Sequence, residues 1–202
     1  MSYIFLKDIG QTPMTTSEMA LFDSQGRRKY LCRAELERFL AAAGNLPPRE
    51  RAFCQTLVYS GGRLAEVLAL RKMDIDRKQG AIVIKSLKKR DKTHHRSVPV
   101  PPALIATLEL VFDLGRGKGS QALWPVTIRQ ANRWVMRAMD AAGLEQYSPR
   151  SLRHTFGVTA VTSGVPLTAI KKWLGHADLK TTAIYVNAMG DEERGLAERM
   201  WK

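Results

Sequence analysis

The sequence contains little cysteine. Its 202 residues include two cysteines, Cys32 and Cys54, each flanked by apolar residues of a helix-like segment. Two cysteines cannot form the disulfide framework of a small secreted domain, so we expect both thiols to be reduced and buried. Neither the cysteines nor the four histidines have the spacing of a zinc site, and we predict no metal. These histidines are His94, His95, His154 and His176.

Long hydrophobic runs are also missing. No stretch approaches the roughly 18 apolar residues that a membrane-spanning helix needs. The first residues, MSYIFLKDIGQTPM, lack the charged start, the apolar stretch and the cleavage site of a secretory signal. Hydrophobic residues still make up 45% of the chain, which is enough for a core and too many for a disordered protein. We therefore expect a soluble cytoplasmic protein with one domain and a short arm.

Acidic residues are too few to balance the basic ones. Thirty-two Lys and Arg oppose 19 Asp and Glu, which leaves a formal net charge of +13. This excess favours a polyanionic partner, because basic side chains that meet phosphates release condensed counterions. An anionic membrane surface would require a basic amphipathic helix, and none stands out. The charge therefore favours a nucleic acid and leaves a ribosomal or merely soluble basic protein as the alternative.

The distribution of apolar residues predicts a mainly α-helical fold with one small antiparallel β-sheet, an α+β domain. Residues 1–28 show no clear period and are predicted to form an irregular arm. β-branched residues at 81–85 and 96–100 predict a hairpin, and helical periodicity surrounds it on both sides. The predicted helices are YLCRAELERFLAAAG, RERAFCQTLVYS, RLAEVLALR, PALIATLELVFDLG, IRQANRWVMRAMDAAG, SLRHTFGVTAVTSG, PLTAIKKWLG, LKTTAIYVN and DEERGLAERMW.

The tip of the predicted hairpin is long and basic. Residues 85–96 contain six Lys or Arg and one Asp, a local charge of +5. Such side chains can follow a duplex backbone, which positions a protein on DNA without specifying the base sequence. A solvated loop explains the same residues. The candidate backbone contacts are Lys85, Lys88, Lys89, Arg90 and Lys92.

Single residues of interest each have an ordinary explanation. Arg63 follows two glycines at a helix start, and Glu66 three residues later would form an intrahelical pair with it. His154 and Tyr185 lie in apolar segments, where packed side chains with satisfied polar groups are common. Their order along the chain is more informative. The chain carries GGRLAEVLALR, then the basic hairpin, then SPRSLRHTFG, then WLGHADLKTTAIYV.

This ordered set resembles the catalytic domain of the tyrosine recombinases, the phage integrase family. The resemblance extends over about residues 30–190 and implies a catalytic domain at 29–190, with a tail helix at 191–202. It implies an enzyme that breaks and rejoins DNA site-specifically through a 3′-phosphotyrosyl intermediate, with no metal, ATP or other cofactor. Double-stranded DNA would be the partner. The expected assembly is a homotetramer on two DNA sites, with an accessory DNA-binding protein as a further expectation.

The resemblance also assigns roles to individual residues. Tyr185 matches the nucleophile of the family. Arg63 and Arg153 match its two catalytic arginines, which would hold the non-bridging oxygens of the transition state. Glu66 matches the acidic residue that supports the first arginine, and His176 matches the histidine of the L-G-H box.

Two further positions are assigned less directly. In this family a lysine near the start of the hairpin tip protonates the leaving 5′ oxygen; Lys88 is our first choice, and Lys85 and Lys89 remain alternatives. Arg150 stands where the family usually has a histidine, three residues before the second arginine. Arginine can donate hydrogen bonds to a phosphate but cannot act as a general base near neutral pH. We expect Arg150 to assist electrostatically if it acts at all, and the substitution leaves room for a slow enzyme or a shifted pH optimum.

The chain is short for this family. Members commonly carry an N-terminal helical domain that clamps the other face of the DNA, and too little sequence precedes residue 29 for such a clamp. We expect a naturally short form, similar to the recombinases that switch fimbrial promoters, rather than a fragment, with weaker DNA affinity as a consequence. The tail at 191–202 is predicted either to dock on a neighbouring protomer or to fold back on its own domain.

Two other functions remain to be weighed. The missing clamp and Arg150 support a catalytically weak or inactive DNA-binding regulator on the same fold. A generic basic RNA-binding protein would leave the ordered motifs unexplained. We expect a recombinase associated with the nucleoid and encoded by a mobile genetic element such as a phage, a plasmid or an integrative element.

Overall fold

The three-dimensional structure is a computed structural model that describes residues 20–86, 94–187 and 197–198. Predictions for the first 19 residues, for the hairpin tip at 87–93 and for most of the tail helix lie outside the described residues.

Three helices form the N-terminal half of the domain: α1 (Arg33–Gly44), α2 (Pro48–Ser60) and α3 (Leu64–Leu68). Helix α2 ends at Gly61, which has a left-handed conformation with φ of 58°. Glycine adopts this conformation without a Cβ penalty, so the chain can reverse at once. The reversal brings Arg63 to the N-cap position of α3.

Helix α3 is shorter than the sequence predicted. The periodicity continued to Arg71, but the helix ends at Leu68 and a 3-10 turn follows at Lys72–Asp74. Arg71 forms an antiparallel β-bridge with Ala122, and its backbone N–H donates to the Asp74 carboxylate at 2.8 Å. Tertiary pairing therefore overrides helix propensity at this point.

A three-stranded antiparallel sheet follows, in the order β1 (Ile75–Asp76), β2 (Ala81–Lys85) and β3 (His95–Pro99). The register pairs Ile84 with Arg96 across β2 and β3. Successive side chains of a strand point to opposite faces, and alternate residues of both strands are buried against the helices. The predicted hairpin is thus confirmed.

The remaining helices surround this sheet and the first three helices. They are α4 (Pro102–Phe112), α5 (Ile128–Ala141), α6 (Pro149–Thr162), α7 (Leu167–Leu174) and α8 (Lys180–Ala183). The sequence predicted one helix over LKTTAIYVN, whereas the structure has α8 followed by a 3-10 turn at Ile184–Asn187. A mainly α-helical fold with a small antiparallel sheet is confirmed.

The core has a large and a small part. In the large part, Trp124 makes T-shaped contacts with Phe53 and Phe112, each at 5.2 Å between ring centroids. The predicted burial of the thiols holds for Cys54, and this burial raises the pKa of its thiol to about 12. Cys32 is only half-buried, because it precedes α1 as the N-cap residue.

The small part of the core lies between α6, α7 and the segment before α1. It contains the apolar residues Leu21, Tyr30, Val158, Ala160, Ile170, Leu174 and Tyr185. Leu21 belongs to the segment predicted as an irregular arm, and its burial shows that the last part of this segment packs on the domain. Of the helices described here, none has the length and apolar character that crossing a membrane requires.

Candidate active site

Tyr185 lies in the 3-10 turn that follows α8, and its side chain is 1% exposed. Its ring stacks on His176, with 6.2 Å between ring centroids and 13° between ring planes. The ring of His154 is also close, at 6.0 Å between centroids. Gly157 of α6 leaves the space for the tyrosine ring, because a Cβ at that position would lie 2.5 Å from two ring carbons.

Arg153 is buried in α6 and holds two chain segments with its guanidinium. Nη1 donates to the carbonyl of Gly61 at 2.8 Å, and Nη2 donates to the carbonyl of Leu174 at 2.7 Å. Burial, reinforced by the positive charge of Arg63, lowers the pKa of Arg153 to about 9. A bound anion would offset both effects, and a guanidinium with five N–H groups still has donors for it.

Arg63 and Glu66 form the expected intrahelical pair at the start of α3. Arg63 Nη1 donates to Glu66 Oε1 at 2.9 Å, and the Arg63 backbone N–H donates to Oε2 at 3.0 Å. The pair is not an ordinary surface contact, because the Glu66 side chain is buried while that of Arg63 remains 32% exposed. One face of the Arg63 guanidinium is therefore fixed by the protein, and the rest faces solvent.

Arg96 of β3 is a third buried arginine, which the sequence analysis counted only as a hairpin cation. Its Nη2 donates to Glu66 Oε2 at 2.6 Å, and its Nε donates to the carbonyl of Trp173 at 2.7 Å. The signal that could have identified it is strand alternation, because Arg96 points to the same face of β3 as the buried Val98.

Within the described residues, Glu66 is the only carboxylate that Arg63 and Arg96 contact, and its charge also acts on Arg153. Burial alone would raise the pKa of Glu66, but the hydrogen bond and charge of Arg96, together with the charge of Arg63, hold it below its ordinary value. Three guanidinium groups thus share one buried negative charge. The surplus of positive charge makes the site complementary to an anion such as a phosphate.

His176 follows Gly175, where the chain leaves α7 in a left-handed conformation with φ of 66°. Its Nδ1 lies 2.9 Å from the buried hydroxyl oxygen of Thr182, which fixes the ring orientation. Burial, followed by the charges of Arg153 and Arg63, lowers the pKa of His176 to about 3. The imidazole is therefore neutral near pH 7 and can donate only one N–H.

Arg150 is exposed on α6 and lines a cleft of about 310 Å³ that also reaches His154, whose ring is near Tyr185. Basic side chains from the segment before α1 line the same cleft: Arg27, Arg28 and Lys29. Burial raises the pKa of Tyr185, and the positive charges of Arg153, Arg63 and Arg150 partly oppose this rise. A phenol near these cations loses its proton more easily than burial alone would allow.

His154 also lines this cleft, and its side chain is 6% exposed. Both ring nitrogens are buried without a hydrogen-bond partner among the residues that the structure describes. Burial, followed by the charge of Arg150, lowers the pKa of His154 to about 4, so this ring is neutral near pH 7 as well.

The hairpin residues are only partly described. Lys85 lies exposed at the end of β2, opposite His95 of β3. The other predicted hairpin residues, Lys88, Lys89, Arg90 and Lys92, lie outside the described residues, so the choice of the catalytic lysine stays a prediction. Within residues 20–86, 94–187 and 197–198, no group of three His, Cys, Asp or Glu side chains is suited to hold a metal ion.

The predicted residues come from distant parts of the sequence and lie close together in the fold. The start of α3 supplies Arg63 and Glu66, α6 supplies Arg153, and the turn after α7 supplies His176 beside Tyr185. The result is a hydroxyl-bearing ring next to a set of guanidinium donors. Chemically, this arrangement combines a nucleophile with groups that stabilise negative charge on a phosphate.

Comparison with known proteins identifies relatives with a shared domain. Tyrosine recombinase XerA of Thermococcus kodakarensis is 30% identical over 180 residues, which cover 85% of this chain and 62% of the relative. Tyrosine recombinase XerD of Caulobacter vibrioides is 32% identical over 178 residues, which cover 81% of this chain and 58% of the relative. The chain therefore spans about three fifths of the length of these curated relatives.

The fold and a family model agree with these similarities. The crystal structure of XerA recombinase superimposes with a TM-score of 0.74 at 26% identity, covering 86% of this chain and 65% of that one. Residues 29–191 match the model of the phage integrase family. This match includes every motif from the first arginine to the tyrosine, and the chain belongs to the phage integrase family.

Proposed function

We propose that this chain is a site-specific DNA recombinase that breaks and rejoins DNA through a covalent 3′-phosphotyrosyl intermediate at Tyr185. The observation that carries the proposal is the contact of the Tyr185 ring with His176, beside the buried guanidinium of Arg153. The names of the related proteins, tyrosine recombinases, support the same activity.

The reaction is a transesterification. The Tyr185 oxygen attacks a DNA phosphorus, a bond forms to the 3′ phosphate, and the bond to the 5′ oxygen breaks. One phosphoester bond replaces another, so the reverse reaction rejoins the strand without ATP. Arg63 and Arg153 donate hydrogen bonds to the non-bridging oxygens, where negative charge accumulates in the transition state. The protein's own cations provide this stabilisation.

Three groups manage the protons and the remaining charge. His176, neutral near pH 7, forms a hydrogen bond with the phosphate or with the Tyr185 oxygen and so orients it. A lysine of the hairpin gives a proton to the leaving 5′ oxygen; Lys88 is our first choice. Arg150 cannot act as a base, and its charge instead favours ionisation of the phenol, whose proton passes to water as the attack occurs.

The burial of the nucleophile adds a step. Because the Tyr185 side chain is 1% exposed, a DNA phosphate cannot reach its hydroxyl in the arrangement described here. We infer that DNA binding is coupled to a movement of the 3-10 turn at Ile184–Asn187. This turn is short, and a single turn separates from a domain at lower cost than a long core helix.

Double-stranded DNA is the proposed partner. The net charge of +13 and the basic cleft lined by Arg150 and His154 favour contact with the phosphate backbone. A homotetramer on two DNA sites, an accessory DNA-binding protein and a location on the nucleoid are part of the same proposal. Recombination requires two paired sites, and one protomer cleaves one strand.

Covalent capture tests the proposed activity. The wild-type chain and Tyr185→Phe are expressed in cells that contain the native DNA context, the lysates are denatured, and protein-linked DNA is recovered and sequenced. We expect adducts at one target sequence from the wild-type chain only, because phenylalanine lacks the nucleophilic oxygen. DNA bound by both proteins in a gel shift, without an adduct from either, would instead favour the DNA-binding regulator.

A further inference from the structure

Arg96 connects three separate parts of the candidate active site. It lies on β3, directly after the hairpin, and its side chain is 6% exposed. Its guanidinium contacts the Glu66 carboxylate at 2.6 Å and the Trp173 carbonyl at 2.7 Å. Helix α3, helix α7 and the sheet therefore meet at one planar group.

The first connection leads to Arg63. Glu66 accepts from Arg96 with Oε2 and from Arg63 Nη1 with Oε1, so both oxygens of the carboxylate are engaged. Without Arg96, the carboxylate would lose its strongest partner and could turn away from Arg63. The orientation of Arg63, the first of the proposed phosphate-binding arginines, thus depends on Arg96, which lies 33 positions later in the sequence.

The second connection leads to the turn that carries His176. The last four carbonyls of a helix have no partner within the helix. At the end of α7, Arg96 donates to the Trp173 carbonyl and Arg153 donates to the neighbouring Leu174 carbonyl. Arg96 also packs against Gly175, where a Cβ would lie 3.1 Å from Nη1.

Stability alone does not account for this arginine. Its Nη1 is buried without a hydrogen-bond partner within the described residues, and burying an unsatisfied donor costs free energy. A buried ion pair is in general no more stabilising than well-packed apolar side chains of similar volume. The geometry of the contacts is more specific, because a planar guanidinium donates in fixed directions.

We propose that Arg96 is a positioning residue, which fixes Arg63 through Glu66 and fixes the His176 turn through the Trp173 carbonyl. It does not touch the reacting atoms. This inference rests on the recombinase activity proposed above. The role of Arg96 is to keep Arg63 and the turn that carries His176, on the two sides of the proposed phosphate site, at a constant separation.

The test compares two variants, Arg96→Met and Arg96→Lys, with the control Arg77→Met. The substrate is a nicked DNA that carries the target sequence found by covalent capture. Arg96→Met keeps an unbranched apolar stem, which ends about where the arginine Nε lies, and removes all donors. Arg77→Met makes the same change of charge at an arginine that is exposed and paired with Glu109. Single-turnover adduct formation at saturating DNA reports positioning, a gel shift reports binding, and urea unfolding identifies the folded fraction.

We expect Arg96→Met to form the adduct about 100-fold more slowly than Arg77→Met, as when one preorganised donor is lost from an active site. DNA affinity should be equal in the two variants, since each loses one positive charge. Equal rates of adduct formation would overturn the proposal. So would a loss confined to DNA affinity, which would make Arg96 a DNA contact.

Arg96→Lys provides an independent test if the methionine variant does not fold. Lysine retains the charge but not the planar fork, so it cannot hold Glu66 and the Trp173 carbonyl together. We expect adduct formation to stay at least about tenfold below wild type, given the directional nature of guanidinium bonds. Full activity of Arg96→Lys would mean that only the charge matters, and the positioning role would be wrong.

The pH profile distinguishes positioning from general structural support. Without Arg96, the burial of Glu66 is less opposed, so the pKa of this carboxyl rises and adduct formation falls at lower pH. The double variant Glu66→Gln, Arg96→Met has no carboxyl to titrate and should lack this acid limb. Parallel profiles for wild type and Arg96→Met would contradict the proposal. A wild-type chain that forms no adduct would instead overturn the recombinase activity itself.

Discussion

Gly157 and Tyr185 are in direct contact: a Cβ at the glycine would lie 2.5 Å from the Cε1 and Cζ atoms of the tyrosine ring. The ring of the candidate nucleophile, Tyr185, therefore packs directly against the backbone of α6. The tyrosine can occupy its buried position only while residue 157 lacks a side chain.

Gly157→Ala should force the ring of Tyr185 out of its position. Because the new methyl group overlaps ring atoms, we expect the free energy of unfolding to fall by about 1–3 kcal/mol, as in overpacked cores. Urea unfolding checks the loss, and tyrosine fluorescence quenching reports the exposure of the ring. Gly44→Ala is the matched control, because nothing lies within 4 Å of a Cβ at that glycine. Equal stability of the two variants would contradict the contact.

Glu66→Gln should lower the free energy of unfolding and should also make this free energy less sensitive to acid. The pKa of Glu66 is held below its ordinary value of 4.5, so its ionised form stabilises the folded state above that pH. This stabilisation is lost as the pH falls below about 4.5, toward the lower pKa of the folded state. Urea unfolding from pH 6 to pH 3 should therefore show a smaller acid loss in the variant. Parallel curves for the two proteins would rule out a linked titration of Glu66.

His154 should contribute to a loss of stability at mildly acidic pH. Its pKa is about 4 in the folded chain and 6.5 ordinarily, so the unfolded chain binds the proton first as the pH falls. Stability from the neutral ring is complete above pH 6.5 and declines as the pH falls toward 4. We expect His154→Gln to reduce the decrease in the free energy of unfolding between pH 7 and pH 5. His95→Gln, at an exposed strand position, is the control and should leave the slope unchanged.

Arg150→His should increase the rate of adduct formation and change its pH dependence. An imidazole beside Tyr185 can accept the phenolic proton, whereas the guanidinium cannot. We expect at least a tenfold faster rate near pH 8, as general base catalysis is typically worth about 100-fold or more, with a decline as the histidine protonates below about pH 6.5. Arg27→His, in the same cleft, is the control. A rate below wild type at every pH would show that the charge of Arg150 matters more than a base.

The hairpin lysine can be identified by changing the leaving group. Lys88→Ala should slow adduct formation on ordinary DNA by about 100-fold or more, because the 5′ oxygen leaves poorly without a proton. A 5′-bridging sulfur needs no proton to leave, so DNA with this substitution should restore the rate. Lys85→Ala and Lys89→Ala are the matched controls. If one of these is rescued by sulfur instead, that residue is the proton donor.

The sequence predicted which residues lie together at this site better than it predicted their exposure to solvent. Arg63, Arg153, His176 and Tyr185 were identified because their motifs occur in one order, and the fold brings them together. The sequence offered burial of Tyr185 only as an ordinary alternative, and it could not predict a 1% exposed side chain, because burial depends on how the last turn packs against α6.

The contacts of Arg96 are a second feature that the sequence could not predict. The hairpin was predicted from its β-branched residues, and the register then places Arg96 opposite Ile84 on the inner face. Its partners, however, lie on α3 and at the end of α7, and no local pattern relates those segments to the sheet. The early end of α3 could not be predicted for the same reason. The β-bridge between Arg71 and Ala122 joins residues that are 51 positions apart in the sequence.

The pairing of two arginines with the last carbonyls of α7 has a consequence for the charge balance of the candidate site. The carboxyl end of a helix carries a partial negative charge, equivalent to about half an electron. Arg96 and Arg153 both donate to it, so the end of α7 supplies part of the negative charge that holds these mutually repelling cations together. In the recombinase proposed above, a DNA phosphate would complete a charge balance that the backbone has only half supplied.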